Sequence, residues 1–409
     1  MAELSAGGAA AQRFDILLLN DISPEGLKRL PAERYRSGTA IPEPHAVLLR
    51  SADLHRRELP ASVQAVGRCG AGTNNIPVAA LSARGVPVFN APGANANAVK
   101  ELVFAGMLMA ARNLAPALRF VAALDPTDRA MEEAVEAGKK RFAGSELAGQ
   151  TLGIVGLGKV GCLVADAAIK LGMQVLGHDP EITVDAAWSL PSQVRRAASV
   201  AEVLRGADFV TLHVPLVGAT RHLVNADNVG LLRDAAVLLN FSREGVVDEA
   251  AVVAALEARR LAWYVCDFPS PALVRHAGVV ALPHLGASTR EAEVNCAVMV
   301  ADQLRDFLEH GNIANAVNFP AVSMIRESAY RVAIANANVP NMLGQISTAM
   351  AHAGLNIHTM VNKSRGDMAY TLVDVDSAVD ESVLATLRRI EGVLGALPAA
   401  HALTRSPSG

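Results

Sequence analysis

A glycine-rich turn is the first feature of this 409-residue chain that could bind a reactive group. The stretch "GLGKVG" places Gly156, Gly158 and Gly161 between a strand-like apolar run and a helix-like run, with Lys159 and Val160 completing the loop. The first glycine permits a tight turn, the second lets a pyrophosphate approach, and the third lets the helix pack on the strand. The turn therefore predicts a dinucleotide phosphate site, with a purely structural turn as the alternative.

An acidic residue follows this turn at the distance that nucleotide-binding folds use. Asp179 ends the next apolar run, 18 residues after Gly161. A carboxylate there binds the adenosine ribose hydroxyls and repels a 2′-phosphate. We therefore predict NAD rather than NADP as the cofactor. The alternative for Asp179 is a solvated charge at a strand end. No metal is predicted.

Polar side chains follow three further apolar runs. "TLHVPLVGATRHLVN" contains His213, Pro215 and Thr220, "LLNFSREGVVDE" contains Arg243, and "ALPHLGASTREAE" contains His284. Ligands of α/β folds bind where parallel strands end. An arginine there can bind a carboxylate and polarise a carbonyl, and a histidine can exchange a hydroxyl proton. With NAD, these groups predict hydride transfer at a 2-hydroxy acid, although each alone could be structural.

The elements before the glycine turn form a small α/β domain with a parallel sheet. Ser23 and Pro24 predict the start of a helix. One long helix is predicted from Ala96 to about Leu124. The expected strands cover residues 14–20, 46–50, 63–70 and 87–90.

A second parallel sheet begins after residue 150, because its strands are continuous apolar runs typical of strands covered on both faces. Asp248 is predicted to cap a helix that reaches about Arg260. Ser288 is predicted to cap another that reaches Glu309 and ends at Gly311. The expected strands are 152–156, 174–178, 209–214, 236–241, 262–268 and 279–282.

The last part of the chain has a different pattern, strand-helix-strand-strand-helix-strand, which predicts a ferredoxin-like βαββαβ module. Its strands are expected at 330–336, 356–363, 369–375 and 393–397, and its helices at 341–353 and 381–390. The N-terminal "MAELSAGGAAAQRF" is predicted to be a disordered lead-in without signal-peptide features, and the tail "TRSPSG" to be loose.

Composition excludes several classes of partner. The net charge is −3 and no basic stripe is present, which argues against nucleic acid and anionic membranes. The longest apolar runs, such as residues 102–111, are too short to span a bilayer. The cysteines are far apart, which favours reduced, buried thiols in a cytoplasmic protein. They are Cys69, Cys162, Cys266 and Cys296.

Several of these stretches together resemble a known family. "NAPGANANAVKEL", "LGIVGLGKVG", "LHVPLVGATRHLVN", "NFSREGVVDE" and "PHLGAST" resemble the D-isomer-specific 2-hydroxyacid dehydrogenases over residues 45–310, and the C-terminal module resembles an ACT domain. The resemblance implies a Rossmann-type NAD domain inserted into a flavodoxin-like substrate domain, followed by a ferredoxin-like ACT domain. The implied boundaries are 1–95 and 287–318 for the substrate domain, 96–286 for the NAD domain and 328–401 for the ACT domain.

The resemblance also implies roles for individual residues, in a cleft between the two lobes. Arg243 would bind the substrate carboxylate, and His284 would be the acid/base. In "RCGAGTNN" backbone amides would hold the carboxylate, and Arg50 would meet a phosphate; fold-stabilising charge is the alternative for Arg50 and Arg68. The implied substrate-side residues are Arg50, Arg68, Gly70, Ala71, Gly72 and Asn95.

One position departs from the family pattern. A glutamate normally pairs with the catalytic histidine, but here Pro271 occupies its place, and Cys266 occupies the place of a usual aspartate. Asp267 is the nearby acid. Either it replaces the missing partner of His284 or faces the cofactor, or His284 works unaided.

The added ACT-like module favours 3-phosphoglycerate as the substrate, oxidised with NAD as the entry to serine biosynthesis. The alternatives are a hydroxypyruvate or glyoxylate reductase, and a non-catalytic NAD-binding amino-acid sensor. Asn338 and Asn356 match positions that hold serine across paired modules in the family, whereas Asn336 stands where serine-inhibited enzymes usually have a histidine. The resemblance thus implies an amino-acid effector at this module. A homodimer or homotetramer is expected, because the long helix from Ala96 is apolar enough to pair subunits and ACT modules commonly pair side by side.

Overall fold

The computed structural model describes residues 13–124 and 128–399. The expected N-terminal lead-in (apart from its last two residues), the C-terminal tail and the last two residues of the expected ACT domain lie outside those ranges. The chain divides into two compact units, one of Met1–Asn95 with Glu293–Gly409 and one of Ala96–Ala292. No helix in the described part of the chain is long and apolar enough to cross a membrane.

The first unit begins with a five-stranded parallel sheet. Its strand order is β2-β1-β3-β4-β5, which is the flavodoxin-like order. Pro24 begins the first helix as predicted, but the Ser23 side chain makes no capping hydrogen bond. No apolar run marks β2, which is a short edge strand with two exposed residues and was not predicted. The elements are β1 Phe14–Leu19, α1 Pro24–Leu27, β2 Tyr35–Gly38, β3 Ala46–Leu49, β4 Ala65–Arg68, α2 Val78–Ala83 and β5 Val88–Phe89.

The second unit contains a seven-stranded parallel sheet with helices. The strand order is β12-β11-β10-β9-β6-β7-β8, and counted within the unit this is the Rossmann order 3-2-1-4-5-6 with one strand added. The elements are α3 Ala96–Ala111, α4 Leu114–Ala122, α5 Asp128–Gly138, β6 Thr151–Val155, α6 Lys159–Lys170, β7 Gln174–His178, α7 Val184–Ser189, β8 Arg195–Arg196, α8 Val200–Gly206, β9 Phe209–Leu212, β10 Ala236–Asn240, α9 Glu249–Glu257, β11 Leu261–Cys266 and β12 Val279–Ala281.

The prediction of one long helix from Ala96 was wrong, because the chain forms two helices there. Asn113 adopts a left-handed conformation with φ +51°, which ends α3. Pro116 lies in the first turn of α4, where its missing N–H is tolerated. In an uninterrupted helix the same proline would have clashed with the carbonyl of Arg112.

One of the two predicted caps is confirmed and the other is displaced by one residue. The Asp248 carboxylate accepts hydrogen bonds from the amides of Ala250 and Ala251 at the start of α9. The following helix, α10, covers Arg290–His310 and is capped by Thr289, whose Oγ1 accepts from the Ala292 amide, rather than by Ser288. It ends as predicted, at Gly311 with φ +71°.

The C-terminal module is a four-stranded antiparallel sheet with the order β14-β15-β13-β16, so the predicted fold class is confirmed for all three sheets. Along β13, Val332 and Ile334 face the module's helices, whereas Ala333 and Ala335 belong to the core that includes Phe307 of α10. Both faces of the sheet are therefore covered within the first unit. The elements are β13 Tyr330–Ala337, α11 Met342–His352, β14 Ile357–Arg365, β15 Met368–Val375, α12 Glu381–Arg388 and β16 Val393–Ala399.

A buried ion pair lies where this module meets α10. The Arg331 guanidinium binds Asp374 through Nε at 2.6 Å and Nη2 at 2.9 Å, and both side chains are fully buried. Its remaining N–H groups donate to the carbonyls of His310, Met324 and Ile325. Burial is the largest single effect on Asp374 and disfavours its charged form. The hydrogen bonds from Arg331 and from the Glu327 amide, with the charges of Arg331 and Arg326, together outweigh it and lower the pKa of the carboxyl. All five guanidinium donors are thus used inside the protein.

We expect Arg331→Ala to lower the free energy of unfolding by about 3–5 kcal/mol, because it leaves a buried carboxylate without its cation. The native pKa of Asp374 is lowered, so its contribution is complete above the ordinary value of 3.8 and is lost as the pH falls below it. Urea denaturation at pH 7 measures the change. Lys28→Ala, which removes an exposed ion pair, is the control and should cost less than about 1 kcal/mol.

Candidate active site

The glycine turn joins β6 to α6, and its geometry requires glycine at two positions. Gly156 has φ +93°, and a side-chain carbon there would lie 2.5 Å from the His213 carbonyl oxygen. At Gly161 the same atom would lie 2.1 Å from the Gly156 carbonyl oxygen, so this glycine permits the close packing of α6 on the turn. A side-chain carbon at Gly158 would have no neighbour within 4 Å. The turn is therefore open at its second glycine, where α6 begins with Lys159 and Val160.

The predicted ribose-binding acid lies at this turn. Asp179 Oδ2 accepts from the Leu157 amide at 2.8 Å, and Oδ1 accepts from the Glu181 amide at 2.9 Å. Each carboxylate oxygen keeps lone-pair capacity for a further donor. The open turn at a helix N-terminus and the adjacent carboxylate fit the pyrophosphate and ribose of a dinucleotide.

We expect Asp179→Ala to weaken NAD binding about tenfold or more, because it removes a charged acceptor for ribose hydroxyls. Binding of NADP should improve relative to NAD, since the repulsive charge is gone. Steady-state kinetics with both dinucleotides measure the two effects. Asp166→Ala, which removes a carboxylate ion-paired with Lys170 on α6, should change neither. Equal use of both dinucleotides by the unmodified protein would contradict the prediction.

The loop after β9 contains His213, Pro215 and Thr220. Burial lowers the pKa of His213 to about 4, so its ring is neutral at pH 7, and Nε2 lies 3.0 Å from Thr211 Oγ1. The Thr220 hydroxyl donates to the Pro215 carbonyl and accepts from the Val217 amide. Thr220 therefore shapes the loop that Pro215 begins, and both lie at the carboxyl end of β9.

The loop after β10 presents Arg243 on the surface of the second unit. Asn240, fully buried at the end of the strand, donates from Nδ2 to the Arg243 carbonyl at 2.9 Å, and its Oδ1 accepts from Ser242 Oγ at 2.8 Å. The Arg243 Nη1 donates to the Ser242 carbonyl at 2.6 Å. Asn240 and Ser242 were not among the predicted site residues. The signal was available, since an asparagine ends an otherwise apolar strand.

The turn after β12 presents His284, which adopts an unusual backbone conformation for a non-glycine residue, with φ +57°. Its exposed ring packs edge-on against Phe268 with 5.3 Å between centroids. The nearby Asp267 is buried, and its two carboxylate oxygens accept from the amides of Leu285 and Gly286, each at 2.7 Å. The interpretation of Asp267 as a hydrogen-bonded partner of the His284 ring therefore needs correction: the carboxylate binds the backbone that follows the histidine.

The predicted substrate-side residues lie in the first unit. Arg68 is the last residue of β4, and a side-chain carbon at Gly70 would lie 1.7 Å from its Nη1, so the guanidinium covers this glycine. Arg50 forms an ion pair with Glu293 at 2.7 Å, with both side chains about two-fifths exposed. Both arginines lower the pKa of the neighbouring Cys69 thiol, although burial dominates and raises it to about 12. Arg50 and Arg68 thus share one neighbourhood.

Two asparagines that were not among the predicted site residues shape these loops. Asn20 Oδ1 accepts from the amides of Ser51 and Ala52, and more distantly from that of Arg50. Asn90 Nδ2 donates to the Ala71 carbonyl at 2.6 Å, and so ties down the loop that contains Gly70, Ala71 and Gly72. Asn95 is half-buried directly before α3. Side-chain hydrogen bonds from Asn20 and Asn90 thus hold the loops that contain Arg50 and Gly70.

Two of the three predicted regulatory asparagines lie at one cavity. Asn336 and Asn338 line a cavity of about 210 Å³ beside the start of α11, whereas Asn356 is not among its lining residues. Asn336 is buried, donates to the Ala337 carbonyl and accepts from Thr371 Oγ1. No cluster of three or more histidine, cysteine, aspartate or glutamate residues suited to a metal occurs in the described ranges.

Comparison with known sequences supplies independent information. The family profile of the D-isomer specific 2-hydroxyacid dehydrogenase, NAD binding domain, matches residues 104–286. The D-3-phosphoglycerate dehydrogenase of Haemophilus influenzae is 31% identical over 87% of this chain and 87% of its own length. The enzyme of that name from Methanocaldococcus jannaschii is 36% identical over 65% of this chain. This chain spans about half the length of that relative and of its Synechocystis counterpart.

Solved structures show the same fold at lower identity. An NADPH-dependent glyoxylate/hydroxypyruvate reductase from Sinorhizobium meliloti superposes with a TM-score of 0.61 at 23% identity, covering 75% of this chain and 98% of the reductase. The NAD⁺-bound 3-phosphoglycerate dehydrogenase of Entamoeba histolytica gives 0.58 at 21% identity, covering 75% and 98%. Both kinds of enzyme therefore share the fold, which leaves the substrate open.

Proposed function

This chain belongs to the D-isomer-specific 2-hydroxyacid dehydrogenase family, and we propose that it oxidises 3-phosphoglycerate to 3-phosphohydroxypyruvate with NAD. The extent of the alignment carries the choice of substrate. The alignment with the Haemophilus influenzae protein covers 87% of this chain, so it extends beyond the substrate domain into the C-terminal module. That relative is a D-3-phosphoglycerate dehydrogenase. The first step of serine biosynthesis is the corresponding role.

The candidate residues account for the reaction at C2 of the substrate. The Arg243 guanidinium binds the carboxylate and polarises the C2 oxygen, which favours charge developing there. The neutral imidazole of His284 accepts the hydroxyl proton as the C2–H bond breaks. A nicotinamide dinucleotide held by the Gly156–Gly161 turn and Asp179 would supply the acceptor for the C2 hydride. Removal of that hydride and of the hydroxyl proton leaves the 2-keto acid.

The substrate loop supplies the remaining contacts. The backbone amides of Ala71 and Gly72 are suited to the carboxylate. The predicted contribution of Gly70 needs correction, because its amide donates to the Arg68 carbonyl at 2.8 Å and the Arg68 guanidinium lies over it. Arg50 is suited to the 3-phosphate. Its guanidinium remains partly accessible to solvent although it is paired with Glu293.

An NADH-formation assay over a panel of 2-hydroxy acids tests the substrate. We expect kcat/KM for 3-phosphoglycerate to exceed that for glycerate, lactate and other unphosphorylated acids by tenfold or more, since each lost charge-assisted contact costs about that factor. Arg50→Ala should narrow this preference, and Arg56→Ala, which removes a side chain about nine-tenths exposed, should not. A preference for unphosphorylated acids would contradict the proposal.

Reduction of hydroxypyruvate or glyoxylate is the second candidate, and the surroundings of His284 favour it. Pro271 stands at the family's glutamate position, and Asp267 is bonded to backbone amides. An imidazole without a carboxylate partner is a weaker base, so kcat for oxidation should fall more than kcat for reduction. The kcat/KM values for reduction of hydroxypyruvate, glyoxylate and 3-phosphohydroxypyruvate, compared at one pH, distinguish the candidates.

Regulation and assembly form a separate part of the proposal. The cavity lined by Asn336 and Asn338 is suited to an amino-acid effector, and titration calorimetry with serine tests it. A homodimer or homotetramer is proposed because α3 and α4 expose apolar side chains. Analytical ultracentrifugation measures the oligomeric state. Those side chains are Leu108, Leu114, Leu118 and Val121.

A further inference from the structure

We propose that Asp267 is a positioning residue that fixes the backbone turn carrying His284, rather than a proton-transfer partner of its ring. The inference rests on the proposed dehydrogenase function for its kinetic consequence. The turn lies entirely within the second unit, and its stability can be measured by hydrogen exchange without any turnover of substrate.

Asp267 accepts three hydrogen bonds that hold the turn. The Asp267 carbonyl accepts from the His284 amide at 3.1 Å, and its carboxylate oxygens accept from the next two amides, of Leu285 and Gly286. A side-chain carbon at Gly286 would lie 3.2 Å from Asp267 Oδ2, so the carboxylate and the backbone approach closely there. Asp267 is 1% exposed, and such a buried carboxylate is retained only when it is well bonded.

The turn needs this support because His284 has φ +57°, a conformation that costs energy for residues with a side chain. Strained residues of this kind persist only where their surroundings hold them in place. The carboxylate supplies the restraint through charge-assisted hydrogen bonds, which are stronger than bonds between neutral groups.

The same residue connects the two candidate catalytic loops. The Asp267 amide donates to the Asn240 carbonyl at 3.3 Å, and the Asn240 side chain holds the Arg243 carbonyl. Arg243 and His284 are thus presented by loops that share one buried scaffold of two residues, Asn240 and Asp267, joined through their backbones. A scaffold of this kind sets the relative placement of two catalytic groups, on which rate depends steeply.

Asp267→Asn tests the proposal, because it preserves volume but points an amide N–H₂ group at one of the two backbone donors. We expect kcat to fall about 10²-fold, the cost of a misplacement of about 1 Å. The dissociation constant of NADH should change less than about twofold. The limb of the pH–rate profile assigned to His284 should move by less than about half a pH unit, since the carboxylate does not bond to the ring. Hydrogen exchange of the Leu285 and Gly286 amides should accelerate at least about tenfold.

Two further variants complete the design. Gly286→Ala keeps the carboxylate but pushes the turn away from it, so it should lower kcat and accelerate exchange as Asp267→Asn does. Asp208→Asn is the matched control, because Asp208 accepts from the Thr151 amide at 2.8 Å at the amino end of the same sheet. It should leave kcat and exchange at residues 284–286 unchanged.

The outcomes separate the alternatives. Loss or displacement of the pH limb would make Asp267 a proton-transfer partner, and a large rise in the NADH dissociation constant would make it a cofactor contact; either result overturns the proposal. Unchanged exchange in Asp267→Asn overturns it as well. If the unmodified protein does not oxidise 3-phosphoglycerate, kinetics use hydroxypyruvate or glyoxylate reduction. If it turns over no substrate, the proposed function fails, and the exchange measurement still decides the role of Asp267.

Discussion

His284→Ala should lower kcat by about 10²–10⁴-fold, the usual contribution of a positioned general base. The imidazole is exposed on a turn at the carboxyl end of the Rossmann sheet, where ligands of such folds bind. Without it, the hydroxyl proton must pass to water as the C2–H bond breaks. Stopped-flow measurement of NADH formation under single-turnover conditions isolates this step from product release.

The control for this variant is His222→Ala, because His222 is also an exposed histidine of the second unit with positive φ, +50°. Its loss should leave kcat within about twofold of the unmodified value, as for surface substitutions in general. NADH binding should be intact in both variants. Near-normal turnover of His284→Ala would mean that the acid/base lies elsewhere.

Arg243→Ala should lower kcat by about 10²–10³-fold and raise KM for the hydroxy acid as well. The first effect follows from losing a donor aimed at charge that develops on the C2 oxygen. The second follows from losing a two-pronged contact to the substrate carboxylate. Initial rates over a range of substrate concentrations, at saturating NAD, separate the two effects.

Arg243→Lys distinguishes charge from geometry, because lysine keeps the positive charge but not the planar fork. We expect it to restore less than a tenth of the lost activity. Arg275→Ala removes another exposed arginine of the second unit and should have no effect. An Arg243→Ala variant that changes KM alone would restrict Arg243 to substrate binding.

Local patterns were sufficient to predict the three sheets. Parallel strands covered on both faces must be apolar throughout, and the runs around residues 152–156 and 236–241 have that property. The spacing of glycines in "GLGKVG" and the position of Asp179 depend on the backbone geometry of a single turn, so the sequence was enough to place them beside each other. The structure adds the bond from the Leu157 amide to the Asp179 carboxylate.

Local patterns were insufficient where two signals compete or where neighbours are distant in sequence. The break at Asn113 was missed because the apolar run continues across it, although Pro116 was a signal that a helix could not pass. Ser288 and Thr289 are both good caps, and in the structure Thr289 accepts the bond from the Ala292 amide.

By itself, the sequence determined the fold class, the nucleotide turn, and the positions of Arg243 and His284 at the ends of strands, because these depend on periodicity and on residues close together in the chain. Only the tertiary structure decided what Asp267 bonds to, since its partners lie 18 and 19 residues away across a loop. It likewise decided that Arg331 and Asp374, 43 residues apart, form a buried pair where the C-terminal module meets α10. Hydrogen bonds of this kind depend on where separate segments come to rest against each other, and no local pattern records that position.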